Sequence, residues 1–197
     1  GFIEWGENVL EKLNGFFALA IHDKETDELF LARDRMGIKP LLVYQDSDAV
    51  VFGSEMKSLM AFGIRKVIDA DSQFLYHQFN YTPYPETIFK NVTELEPGTW
   101  MKVGRTDPST LRLRSGSTSL RVTTGTFWSI PKPTAPKTKL SYDQAQQKLR
   151  ELMEKSVQRR MIADVPLGSF LSGGIDSSII ATLAARAKSG AVNSDHT

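Results

Sequence analysis

Hydrophobic and polar positions follow a period that changes several times along the chain. Over residues 7–13, Val9, Leu10 and Leu13 fall on one side of a short helix, and Asn14-Gly15 breaks the pattern. Residues 16–21 form a continuous apolar run, too short for an ordinary helix, and predict a buried strand. A charged turn over residues 23–28 leads to a returning strand at 29–32, the second arm of a hairpin. Residues 41–44 and 50–52 flank the polar stretch 45–48 and predict a second hairpin, so the region reads as a meandering antiparallel sheet. Ser54 is the predicted N-cap of a helix through Ala61, with Gly63 as its stop. Asp71 or Ser72 starts another helix through Phe79, and residues 99–103 close the series as a strand after Pro97-Gly98.

Residue 104 marks a shift in composition. Residues 104–139 cluster Ser, Thr, Gly and Pro with alternating Arg, and Pro131, Pro133 and Pro136 predict an extended connector. Beyond it, Ser141 and Gln144 form a capping box at the head of a long helix over 141–163. Residues 165–171 are an apolar strand, with Pro166 at its start. The expected division is 1–103, a connector at 104–140 with a Ser/Thr-rich insertion, and 141–197. A start at Gly1 without Met, and a stop soon after a strand–loop–helix signal, are what a fragment would show.

Hydrophobic residues make up 41% and charged residues 24% of the 197, an ordinary globular composition that excludes disorder of the whole chain. Lys and Arg total 24 against 23 Asp and Glu, a net charge of +1, too balanced for bulk nucleic acid or an anionic membrane as the main partner. No apolar run reaches membrane-spanning length, and no signal-peptide layout opens the chain. The absence of cysteine removes disulfides, thiolate metal sites and any cysteine nucleophile. His22, His77 and His196 are scattered without metal-ligand spacing, so no zinc site is expected.

Candidate chemistry concentrates in Leu171, Ser172, Gly173, Gly174, Asp176, Ser177 and Ser178, between an apolar strand and the helical run 179–186. Paired glycines let a ligand approach the backbone, the serine hydroxyls add donors, and the helix start supplies free N–H groups with a partial positive field. Together these suit a phosphate or pyrophosphate. Asp176 would repel phosphate by itself, so its useful role is toward Mg²⁺ bound to that phosphate. The alternative is an ordinary strand-to-helix turn in which Ser and Asp serve as caps.

The S-G-G-x-D-S-S pattern resembles the pyrophosphate loop of the N-type ATP pyrophosphatases, and residues 164–178 resemble the asparagine synthetase family's version of it. It is not a Walker A loop, because no G-K-[ST] follows. Residues 33–41, Arg-Asp-Arg-Met-Gly-Ile-Lys-Pro-Leu, resemble the R-D-x-x-G-x-x-P-L segment of class II glutamine amidotransferase domains. Residues 13–23 before it and 52–59 after it match the same pattern, whereas about 107–126 matches none. In that family an N-terminal cysteine attacks the glutamine amide with its own α-amine as base. This chain has no Cys, and also lacks the Asn-Gly-Glu and Ser-Asp segments expected to hold glutamine, so no catalytic residue is assigned within it.

The resemblance implies a partial N-terminal-nucleophile α+β sandwich of four layers over 1–103, followed at 141–197 by the start of an α/β parallel-sheet ATP-pyrophosphatase domain. It also implies a parent enzyme that adenylates aspartate with ATP and Mg²⁺ and aminates it with ammonia from glutamine, in the cytoplasm, with room for a homodimer. The alternatives are a β-lactam synthetase-like or other amidotransferase acting on a different acid, and a non-catalytic remnant retained for partner binding.

Overall fold

Where one meander is predicted, the apolar stretches of the first half build two antiparallel sheets. The computed structural model describes residues 1–47, 49–105, 120–132, 134 and 138–192, and it divides into two compact units, Gly1–Lys132 and Pro133–Thr197. In the first unit, β1 (Ala18–Asp23), β2 (Glu28–Arg33), β6 (Thr99–Arg105) and β7 (Leu120–Thr126) form a four-stranded sheet in the order β1-β2-β6-β7. A second sheet has β3 (Leu42–Gln45) between β4 (Val50–Gly53) and β5 (Val92–Glu94). The helices are α1 (Phe2–Trp5), a 3₁₀ turn at Gly6–Asn8, α2 (Val9–Lys12), α3 (Met56–Phe62) and α4 (Ala70–Phe79).

The period of two along the central strands sets the layers. On β2, Leu29 and Leu31 pack with Val43, Leu41, Leu95 and Met101, joining the two sheets. The alternate residues Phe30 and Ala32 face the other way, onto Leu10 of α2 with Phe2, Val9 and Trp100 around it. On β3, Leu42 and Tyr44 turn from the inter-sheet core to pack with Leu59 of α3, Ile64 and Val92. The result is helix, sheet, sheet, helix. Leu10, Leu31 and Leu59, one from each apolar cluster, are fully buried, and each contributes about 1.5–3 kcal/mol relative to an exposed side chain.

Both predicted hairpins form, with Ile21 opposite Phe30 and Val43 opposite Phe52. The run predicted as a buried strand is instead a half-buried sheet edge, since among the described residues β1 pairs only with β2. Helix α3 is capped by Glu55 rather than Ser54, and Gly63 ends it at φ +100° as expected. Asp69 caps α4 by accepting a 2.9 Å bond from the Ser72 N–H, slightly before the predicted start. Strand β5, three residues long, has no forecast in the sequence. Strand β7 falls inside the stretch predicted to be an unstructured connector; residues 106–119 of that stretch lie outside the described residues. Seven register pairs tie β7 to β6, from Thr99–Thr126 to Arg105–Leu120. The strand is held by pairing with β6 along one edge, a contact that composition does not report.

In the second unit, α5 (Tyr142–Arg160) starts with both halves of the predicted capping box, Gln144 N–H to Ser141 Oγ at 3.3 Å and Ser141 N–H to Gln144 Oε1 at 3.0 Å. Helix α6 runs Ile175–Val192. Arg150 and Met153 share a groove with Gly173, Ile175 and Ser178, whereas Gln158 and Met161 share one with Leu183 and Ala187. The two helices therefore advance in the same direction. The segment joining them does not form the predicted strand at 165–171: Val165, Leu167, Phe170 and Leu171 are exposed, and every named strand pair among the described residues is antiparallel. A parallel strand is stable only with neighbours alongside and helices over its faces, and no such neighbour is present among the described residues. The parallel sheet expected to open here is thus not formed among the described residues.

Candidate functional site

The glycines and serines of 172–178 make a compact turn into α6. Gly173 sits at φ +81°, a left-handed conformation that suits glycine, and a Cβ there would meet open space. Ser178 N–H donates to the Gly174 carbonyl at 3.1 Å, closing the first helical turn. The N–H groups of Ile175, Asp176 and Ser177 come before that bond and have no acceptor within the helix, so they are free to meet an anion. Asp176 lies in this first turn and is exposed.

The hydroxyls are engaged locally. Ser177 and Ser178 each donate to the Gly174 carbonyl, at 3.0 and 2.8 Å, and Ser172 Oγ lies 3.0 Å from Ser177 Oγ. Either serine must rotate away from Gly174 to donate to a ligand. Leu171 precedes the turn with its side chain exposed. Six of the seven candidate residues thus lie together on one turn, directly after Leu171, with the Asp176 carboxylate exposed, a set whose chemistry fits a polyphosphate with a hard divalent cation. No group of three or more His, Cys, Asp or Glu able to hold a metal by itself occurs among the described residues.

The segment 33–41 is a different kind of feature, a buried polar knot rather than a charged loop. Arg33 is 5% exposed and Asp34 1%. From the end of β2, the Arg33 guanidinium reaches the other sheet, donating to Glu94 Oε2 and the Leu95 carbonyl, both at 2.8 Å. Its Nε donates to the Lys39 carbonyl and Nη2 to the Gly37 carbonyl, both at 2.9 Å. Asp34 accepts four backbone N–H bonds, from Met36 and Ile38 on Oδ1 and from Phe17 and Lys39 on Oδ2, between 3.0 and 3.2 Å. Burial pushes its carboxyl up, but those four donors outweigh burial and hold it below the usual aspartate value. Gly37 (φ +62°) is required by packing as well, since a Cβ would come within 2.8 Å of the Pro97 ring.

Arg35 continues the knot outward, donating to the carbonyls of Leu13 at 2.6 Å and Glu11 at 3.0 Å and so tying α2 to the loop. Glu94 escapes notice in the sequence, because nothing local marks it as the partner of an arginine 61 residues away. Tyr84 is near this pair, and burial together with the charge of Glu96 pushes its phenol up to about 12.

No helix among the described residues is long and apolar enough to cross a membrane. Comparison with known proteins gives two family matches, a glutamine amidotransferase domain over residues 1–113 and asparagine synthase over residues 148–194. Among curated relatives, asparagine synthetase (glutamine-hydrolyzing) 3 of Bacillus subtilis is 31% identical over 93% of this chain and 28% of its own length. Asparagine synthetase (glutamine-hydrolyzing) 1 of the same organism is 35% identical over 90% of this chain and 26% of its own. A Mycobacterium bovis protein, provisionally named asparagine synthetase (glutamine-hydrolyzing), is 36% identical over 94% of this chain and 27% of its own. The chain spans about a quarter of the length of these relatives.

Proposed function

From a chain that belongs to the glutamine amidotransferase domain family, we propose the junction portion of a glutamine-dependent amide ligase of the asparagine synthetase type. The first unit is the later part of the domain that frees ammonia from glutamine, with β7 added to the expected 1–103. The connector follows, and 141–197 opens the ATP-using domain. The observation that carries the proposal is the order of two features on one chain: the Arg33–Asp34 knot within a four-layer sandwich, then a left-handed Gly173 leading into α6 with free N–H groups and Asp176 in its first turn.

In the parent protein, Leu171, Ser172, Gly173, Gly174, Ser177 and Ser178 would line the seat of the β- and γ-phosphates of ATP. Asp176 would hold Mg²⁺, which when bound screens the phosphate charge. The backbone N–H groups of Ile175, Asp176 and Ser177 would orient the pyrophosphate as a leaving group while the aspartate carboxylate attacks the α-phosphorus. Ammonia then attacks the acyl carbon of the adenylate and AMP leaves. The 197 residues contain no cysteine, so glutamine hydrolysis needs a nucleophile supplied outside them. A cytoplasmic location and a homodimer belong to the same proposal.

The test is pyrophosphate exchange in the full-length protein. Labelled pyrophosphate should enter ATP only when aspartate is present, without glutamine. Exchange independent of aspartate, or none at all, refutes adenylation of aspartate.

A further inference from the structure

Residues 13–17, between α2 and β1, are pinned at both ends and free in the middle. The Leu13 carbonyl accepts from Arg35 at 2.6 Å, and Leu13 packs onto the cluster around Leu10. At the other end Phe17 is bonded twice to Asp34: the Asp34 N–H donates to its carbonyl at 2.8 Å, and its own N–H donates to Asp34 Oδ2 at 3.2 Å. Between these anchors Asn14 and Gly15 are exposed and lie outside helix and strand. Among the described residues, neither the Asn14 amide nor the Gly15 N–H has a hydrogen-bond partner, and a Cβ on Gly15 would meet open space. A side-chain amide therefore stands next to a backbone nitrogen that no acceptor holds and no side chain shields.

That neighbourhood has a chemistry of its own. Once base removes the Gly15 amide proton, the nitrogen attacks the Asn14 side-chain carbonyl carbon. The new C–N bond closes a succinimide, and the side-chain nitrogen takes up a proton and leaves as ammonia. One water then opens the ring, at the side-chain carbonyl to give aspartate or at the main-chain carbonyl to give isoaspartate, which places an extra methylene in the main chain. The other described asparagines are guarded. After Asn8 and Asn91 the next N–H is already bound, Val9 to the carbonyls of Gly6 and Glu7 and Val92 to that of Phe89, and each belongs to a crowded β-branched residue. Asn80 is held at φ +60° as the cap of α4 and is followed by bulky Tyr81. We propose that Asn14 is a site of spontaneous deamidation in the folded chain, and that its isoaspartyl product loosens the tie Arg35 makes between α2 and the buried knot. The inserted methylene displaces the Leu13 carbonyl from Phe17, and these two are fixed to Arg35 and Asp34 respectively. The proposal does not depend on the function assigned above.

The experiment incubates the 197-residue chain, native and in denaturing urea, in warm and mildly alkaline buffer. Peptide mass spectrometry follows each asparagine, and enzymatic carboxyl methylation counts isoaspartate. Native Asn14 should convert within about tenfold of its rate in urea, as a loop that needs little opening does, and ahead of Asn8, Asn80 and Asn91. Gly15→Ala, whose Cβ has room, should keep the native circular dichroism and slow conversion about tenfold. A native rate more than about tenfold below that in urea, no preference for Asn14 over the other three, or an unslowed Gly15→Ala overturns the site. The isoaspartyl fraction is then separated by chromatography and unfolded in urea beside Asn14→Asp, which carries the same added charge on an unaltered main chain. Its midpoint should fall while that of Asn14→Asp stays at the wild-type value; equal midpoints overturn the loosening of the Arg35 tie.

Discussion

Asp34→Asn is the sharpest test of the buried knot. The substitution preserves shape and turns one carboxylate oxygen into an amide NH₂. Whichever oxygen is replaced, two backbone N–H groups lose their acceptor and face a donor: Phe17 and Lys39 on one side, or Met36 and Ile38 on the other. At 1% exposure water has little access to take the acceptor's place. A buried donor left unsatisfied costs about 1–3 kcal/mol, so the pair sets an expected loss of about 2–6 kcal/mol, a large share of the roughly 5–15 kcal/mol that holds a typical domain.

Urea unfolding followed by tryptophan fluorescence measures this loss directly, because Trp5, Trp100 and Trp128 all lie in the first unit. The midpoint should fall sharply with little change in slope. Because the folded carboxyl of Asp34 is held below its ordinary value, its contribution is complete above the unfolded aspartate value of about 4 and disappears as pH falls through the lower folded value. The gap between wild type and variant should therefore be full at neutral pH and close in acid. A neutral-pH gap under about 1 kcal/mol, or one unchanged in acid, refutes the assignment.

Gly98→Ala should destabilise the first unit by about 2 kcal/mol or more, since Gly98 has φ +71° and a Cβ there would collide with the Trp128 carbonyl; the same urea titration measures it. The purified chain should release no ammonia from glutamine above background, because it contains no cysteine nucleophile; a glutaminase assay showing turnover would contradict this.

What could be read in advance divides along physical lines. The hairpins β1–β2 and β3–β4 are local, so an apolar run, a polar turn and a second apolar run carry most of the information. The Ser141–Gln144 cap is local too. Strand β7 depends on β6, and its Leu-Arg-Val-Thr-Thr-Gly-Thr sequence has too few apolar residues to stand out from a linker. Residues 165–171 show the opposite failure: their apolar character marks a strand, but a strand requires a neighbour and none is present among the described residues. Arg33, Asp34 and Gly37 were visible as a motif resembling a family. Their physical role, closing one sheet onto the other through Glu94 and Leu95, appears only in three dimensions.

The central claim, that residues 172–178 open an ATP-using site separate from glutamine hydrolysis, is tested most directly by Asp176→Asn in the full-length protein with both half-reactions measured. ATP-dependent amide synthesis should be abolished, because the proposed Mg²⁺ carboxylate is lost, while ammonia release from glutamine stays within about twofold of wild type, the estimate for a substitution that leaves the other site's interactions intact. Retained amide synthesis would contradict the claim.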